Sequence, residues 1–188
     1  MALFLARLSG HQMGTSKLEH PIQMGTRKKG NILSTNALVH IIDSEGAVIT
    51  TIYKHWDGYP SGVGNQLKEM LTEMAVNSCS GNRGFNDAHC LAAFVIAQLK
   101  GDRWGDVYVY PPGTSNMGEE FIYLVSLIGG QPSMVCVLVG FGDEENRAVF
   151  VGNPANFNSD QIDGLIESGE PFTPMWKAQE ITEETPTP

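Results

Sequence analysis

Twelve residues, Tyr53-Lys54-His55-Trp56-Asp57-Gly58-Tyr59-Pro60-Ser61-Gly62-Val63-Gly64, bring together three aromatic rings, an imidazole, a carboxylate and three glycines. An imidazole acts as a general base, oriented by a carboxylate, when the backbone turns both toward one point. His55 and Asp57 are therefore the candidate catalytic pair, for hydrolysis or group transfer. Trp56 and Tyr59 offer stacking faces, and the glycines allow a ligand to approach the backbone closely. The segment leads into a helix, whose free N-terminal N–H groups favour anions. A ligand with a ring and a phosphate or carboxylate could stack on Trp56 or Tyr59 and rest its anion at Gly62–Asn65. Tyr53, His55, Trp56, Asp57, Tyr59, Gly62, Gly64 and Asn65 form the candidate ligand-binding set. The competing reading is conformational: Asp57-Gly58 is a tight turn, Trp56 is core and His55 bonds a backbone carbonyl. The glycine spacing is neither a Walker nor a dinucleotide signature.

Other chemistries have less support. His40, His55, Asp57, His89 and Cys90 are the potential metal ligands. Zinc needs three or four converging groups, and adjacent helical residues such as His89 and Cys90 diverge by about 100°. No metal and no cofactor are expected. Cys90, near the start of a helix, could be an activated thiol, but its apolar neighbours Leu91 and Ala92 point to a small core residue. Cys136 lies in an apolar run and reads as core. No nucleophile elbow supports Ser-His-Asp chemistry. Glu119-Glu120 begin a strand and read as solvent-facing. The polar loops Pro111–Asn116 and Gly152–Asn158 are either ligand walls or irregular turns.

The run Ile52–Gly64 resembles a family of mostly uncharacterised proteins from phages, bacteria and some eukaryotes that share a Tyr-x-His-Trp-Asp-Gly-Tyr-Pro core. The resemblance covers residues 34–128, including Leu91-Ala92-Ala93 and Tyr108–Pro112. In that family a Ser/Gly-Thr-Arg element often precedes the first strand. Here Ser34-Thr35-Asn36 stands at the gapless position, so Asn36 replaces the arginine that would pair with Asp57, and Gly25-Thr26-Arg27 lies further upstream. The family implies a site at the motif and no particular activity.

These residues need elements to position them. Residues 36–43 and 47–54 read as a hairpin around Ser44-Glu45-Gly46. Leu67, Met70, Leu71 and Met74 mark the stripe of an amphipathic helix, with Ser61 as its N-cap. Asn86 is the expected cap of a second helix buried through Ala88, Leu91, Ala92, Val95 and Leu99 and stopped at Lys100-Gly101. Strands follow at 106–110, 120–128, 133–141 and 147–151, the last three as an antiparallel meander, and a short helix spans 159–168. The order predicts an α+β fold: one five- or six-stranded, mainly antiparallel sheet with two helices on one face.

The 188 residues suit one domain at 34–170, flanked by an N-terminal extension at 1–33 and an acidic Pro/Thr/Glu-rich tail at 171–188. The net charge of −9 is uneven: residues 1–33 sum to +4, while 160–188 sum to −6. An acidic body argues against nonspecific binding of nucleic acid, and no apolar run is long enough for a membrane span. Three unpatterned cysteines and the lack of a signal-like N-terminus point to a cytoplasmic, unsecreted protein. The leading expectation is a non-catalytic binding or assembly protein that presents the His55–Gly64 turn to a small anionic ligand or a protein partner. The alternatives are a hydrolase or transferase using His55 and Asp57, and a structural subunit of a homo-oligomer or larger particle whose edge strands extend a neighbour's sheet.

Overall fold

The computed structural model describes residues 35–79, 87–102, 105–140, 142 and 144–168. The expected N-terminal extension, acidic tail and Asn86 cap lie outside these residues. Among them the chain forms six strands: β1 (Ala37–Ile42), β2 (Val48–Lys54), β3 (Val107–Tyr110), β4 (Phe121–Ile128), β5 (Gln131–Leu138) and β6 (Arg147–Gly152). Three α-helices accompany them: α1 (Asn65–Cys79), α2 (Ala88–Lys100) and α3 (Ser159–Ser168).

The strands make one open sheet in the order β3-β2-β1-β4-β5-β6. The α+β class is as the element order requires, and β4-β5-β6 is the expected antiparallel meander. One pairing is different in kind. β1 runs parallel to β4, with Ala37 opposite Phe121 and Ile41 opposite Val125, so the sheet is mixed. β3 pairs antiparallel with β2, beyond the hairpin.

Side chains alternate across a strand, so one face collects every second residue. Ala37, Val39 and Ile41 of β1 join Ile52, Phe121, Tyr123, Val125, Met134 and Cys136 in a core closed by Leu67 and Leu71 of α1, Leu91 and Val95 of α2 and Ile162 of α3. The opposite face also keeps Leu38, His40, Thr51, Tyr53 and Leu124 out of water.

Local chemistry sets the joints. Asp43 Oδ1 accepts from the amides of Glu45 and Ala47 at 2.9 Å each, and Gly46 takes φ 88° to close the β1–β2 hairpin. Ser61 is not the cap of α1. It lies in a π-helical turn, Pro60–Gly64, and the α-helix begins at Asn65. The cap of α2 is Asp87, whose carboxylate accepts from the Cys90 amide at 2.8 Å. Gly101 stops α2 with φ 46°, its amide bonded to Ala97 O.

Candidate functional site

The motif turn leaves β2 at Lys54 and enters the π-turn at Pro60. Its backbone is held at several points. Gly58 donates to Thr35 O at 2.7 Å and accepts from the buried Tyr123 hydroxyl at 3.0 Å. A Cβ at Gly58 would stand 2.6 Å from the carbonyl carbon of Asn36, so the turn packs directly on the chain entering β1. Asp57 takes a left-handed conformation, φ 59°, and its carbonyl accepts from Val63 N at 2.8 Å. A Cβ on Gly62 would lie 2.1 Å from that same carbonyl oxygen, and one on Gly64 2.5 Å from the ring of Phe157. The three glycines are thus fixed by close packing within the protein.

This changes the expected anion cradle. Gly62 N and Gly64 N both point to Tyr59 O, at 2.9 and 3.5 Å, and Val63 N is committed to Asp57 O. The Asn65 amide donates to Gly62 O and Pro60 O. The Asn65 side chain reaches Ser159 Oγ of α3 at 3.3 Å and Ser61 O at 3.4 Å. Gly62, Gly64 and Asn65 therefore serve the turn and its docking to α3. A π-turn spends its amides on its own carbonyls, which the glycine spacing alone did not disclose.

The candidate catalytic pair is split between different partners. Tyr53 Oη and His55 Nδ1 lie 3.2 Å apart, in a hydrogen bond whose donor depends on the imidazole tautomer. Tyr59 donates its hydroxyl to Asp57 Oδ1 at 3.2 Å. Burial first, then the Asp57 charge and this bond, hold the Tyr59 phenol above its usual range.

What the turn does present is aromatic. Trp56 is not core; it is 49% exposed, and its ring lies 4.4 Å from the His55 ring at an interplanar angle of 77°. His55 lies 5.9 Å from Tyr53, and Tyr53 lies 6.2 Å from both Tyr108 and Tyr110. Cross-strand register explains the grouping: Tyr53 is directly opposite Tyr108, and Thr51 opposite Tyr110. Five rings therefore form a strip along the β2–β3 end of the sheet, on the face away from the helices. Tyr108 is 43% exposed and is anchored by its hydroxyl to Gly105 O at 2.7 Å.

The strip borders a buried polar group that sequence reasoning did not assemble. His40 Nδ1 bonds Thr51 Oγ1 at 2.9 Å, and that oxygen also accepts from Gly113 N at 3.0 Å. Glu119, expected in solvent, is buried: its carboxylate takes the amides of Asn116 and Met117 at 3.0 and 2.6 Å. Burial lowers the His40 pKa, with the Glu119 charge acting against it. Burial raises the Tyr53 pKa, helped by Tyr110, Glu119 and Tyr108. The loop from Pro111 to Glu119 is thus pinned on the strip side of the sheet.

One further placement departs from expectation. Cys90 is exposed at the start of α2, while Cys136 is buried as expected and its thiol pKa is pushed far up by burial. Lys54, fully buried, forms an ion pair with Asp106 on the helix face. The Gly152–Asn158 loop is structural: Asn153 caps a 3-10 turn, and Asn158 accepts from Asp160 N and Gln161 N to start α3. A groove of about 400 Å³ lies between α1 and α2, lined by Glu69, Met70, Glu73, Leu99 and Asp102 among others, and no turn residue lines it. Among the described residues no cluster of three metal-ligating side chains occurs, and no helix is long and apolar enough to cross a membrane.

No family model, curated protein or solved structure matches this chain.

Proposed function

We propose that this chain is a non-catalytic binding protein whose motif turn, with the adjoining tyrosine strip, receives a partner bearing an aromatic ring or aromatic side chain. Trp56 carries the reading: half exposed, it sits on a turn held by Gly58, Gly62 and Gly64 and lies against the near-perpendicular His55 ring. A folded chain leaves a tryptophan so exposed at little benefit to its own core, whereas rigid Trp and Tyr side chains supply much of the affinity at recognition surfaces. The commitment of the Gly62–Asn65 amides favours stacking over anion capture as the source of affinity. The Tyr-x-His-Trp-Asp-Gly-Tyr-Pro resemblance belongs to the same proposal, with the motif as the shared recognition turn.

The test is a thermal-shift screen of wild-type protein and Trp56→Ala against aromatic nucleotides, aromatic metabolites and aromatic-rich peptides. Compounds should raise the wild-type midpoint and leave the variant unmoved. Equal shifts in both proteins would remove Trp56 from the binding surface and end the proposal.

A further inference from the structure

The two edges of the sheet are built differently. β6 begins at Arg147, breaks register against β5 between Cys136 and Val137, and ends at Gly152. A charge and a bulge are the usual devices that keep a strand edge from pairing. β3 has neither: its four residues are Val-Tyr-Val-Tyr. Val109 is 56% exposed on the helix side and Tyr108 is 43% exposed on the strip side, so both faces of this strand are open at its outer rim.

The backbone of β3 also has a defined polarity. His55 N donates to Asp106 O at 3.0 Å, one step beyond the Lys54–Val107 pair. In an antiparallel ladder, pairs that exchange hydrogen bonds alternate with pairs that do not. His55/Asp106, Tyr53/Tyr108 and Thr51/Tyr110 are then the bonded pairs. Val107 and Val109 fall in the alternate pairs, and each turns its N–H and C=O away from β2.

We propose that β3 pairs antiparallel with β3 of a second copy of this chain, about a two-fold axis through Tyr108. The register follows from the polarity. Val107 opposite Val109 of the second copy, and the reverse, brings every outward amide and carbonyl of the two valines to a partner. Shifting by one residue on each strand sets Val107 against Pro111, which has no N–H, and loses bonds. A two-fold axis normal to the sheet keeps both helix layers on one side and joins the two aromatic strips into one surface on the other. The uncharged strand places none of the chain's net −9 at the contact. Two four-residue strands bury far less than the ~1,200–2,000 Å² of a stable interface, so the dimer is weak and concentration-dependent. The proposal is independent of what the turn binds.

Sedimentation equilibrium of the full chain over a dilution series tests it. The wild-type mass should climb from monomer toward dimer. Val109→Pro removes an outward N–H that the described residues do not use, so circular dichroism should stay unchanged while dimerisation weakens by roughly tenfold or more. Val109→Lys should act in the same direction without a backbone change. In a chain with Cys79 and Cys90 replaced by serine, Tyr108→Cys should cross-link on mild oxidation, because non-bonded antiparallel partners approach to about 4.5 Å between Cα atoms. A wild-type protein that stays monomeric at every concentration, with the edge idle or kept for another protein's strand, overturns the proposal. So does dimerisation at wild-type strength in both Val109 variants.

Discussion

The hydroxyl of Tyr123, in the middle of β4, donates to the carbonyl oxygen of Gly58 at 3.0 Å across 65 residues of sequence. The motif turn is thereby tied to the sheet's interior. Burial holds the Tyr123 phenol well above its usual pKa, so it remains a donor. Replacing it with phenylalanine leaves a carbonyl without this partner, at a cost of about 1–2 kcal/mol. Tyr123→Phe should therefore lower the denaturant midpoint and also alter the near-ultraviolet circular dichroism of the turn's aromatic rings. A variant with wild-type stability would show that the tether is dispensable.

The motif glycines should resist substitution for steric reasons. Alanine at Gly62 drives its Cβ into the Asp57 carbonyl, which cannot move without opening the turn. Alanine at Gly64 meets the Phe157 ring instead. Overpacking of this kind costs about 1–3 kcal/mol. Gly64→Ala should be partly rescued by Phe157→Leu, read as a positive coupling in a double-mutant cycle of urea unfolding. Gly62→Ala should gain nothing from that change.

Lys54 and Asp106 should behave as a unit. Each charge is nearly excluded from water, so removing one takes from the other its ion-pair partner. Lys54→Met or Asp106→Leu should cost about 3–5 kcal/mol, while the Lys54→Met/Asp106→Leu double variant should recover much of that loss. Thermal unfolding of the four proteins gives the answer directly, and strictly additive losses would refute the coupling.

Acid should weaken the fold through His40. Its folded-state pKa is depressed by burial below the ordinary 6.5, so the native protein favours the neutral ring. The stability this provides is complete above pH 6.5 and is lost as pH falls through the depressed value. His40→Gln keeps a hydrogen-bonding group beside Thr51 and removes the titration. Unfolding free energy measured from pH 7.5 downward should decline in the wild type and stay flatter in the variant. Asp163, raised by burial and by Asp160 and Glu167, acts with the opposite sign nearer its ordinary 3.8. Its contribution is common to both proteins and cancels in the difference.

Much of this architecture was legible from local pattern. Ser44-Glu45-Gly46 announced the hairpin, the Leu67–Met74 stripe announced α1, and short connections announced the meander. The parallel β1–β4 pairing was not legible, because no local signal tells a strand which distant strand it will adjoin. Glu119, just before β4, is buried with that arrangement, whereas Cys90 is exposed because it falls off the Ala88-Leu91-Ala92-Val95-Leu99 stripe of α2. At the candidate site, the residue types singled out a segment whose Trp56 is half exposed. The roles of Gly62, Gly64 and Asn65 differed because a π-turn consumes amides that an ordinary helix start leaves free. Tyr108 and Tyr110 joined the site through cross-strand register, which twelve contiguous residues cannot reveal.

The parallel pairing of β1 with β4 has a consequence for synthesis. The hairpin of β1 and β2 leaves the ribosome early, but the second side of β1 is covered only after Phe121–Ser126 has emerged. Until then Val39 and Ile41 wait without their β4 neighbours, and the centre of the sheet is a late, long-range closure. Nascent chains halted before β4 should therefore be the species that molecular chaperones hold longest.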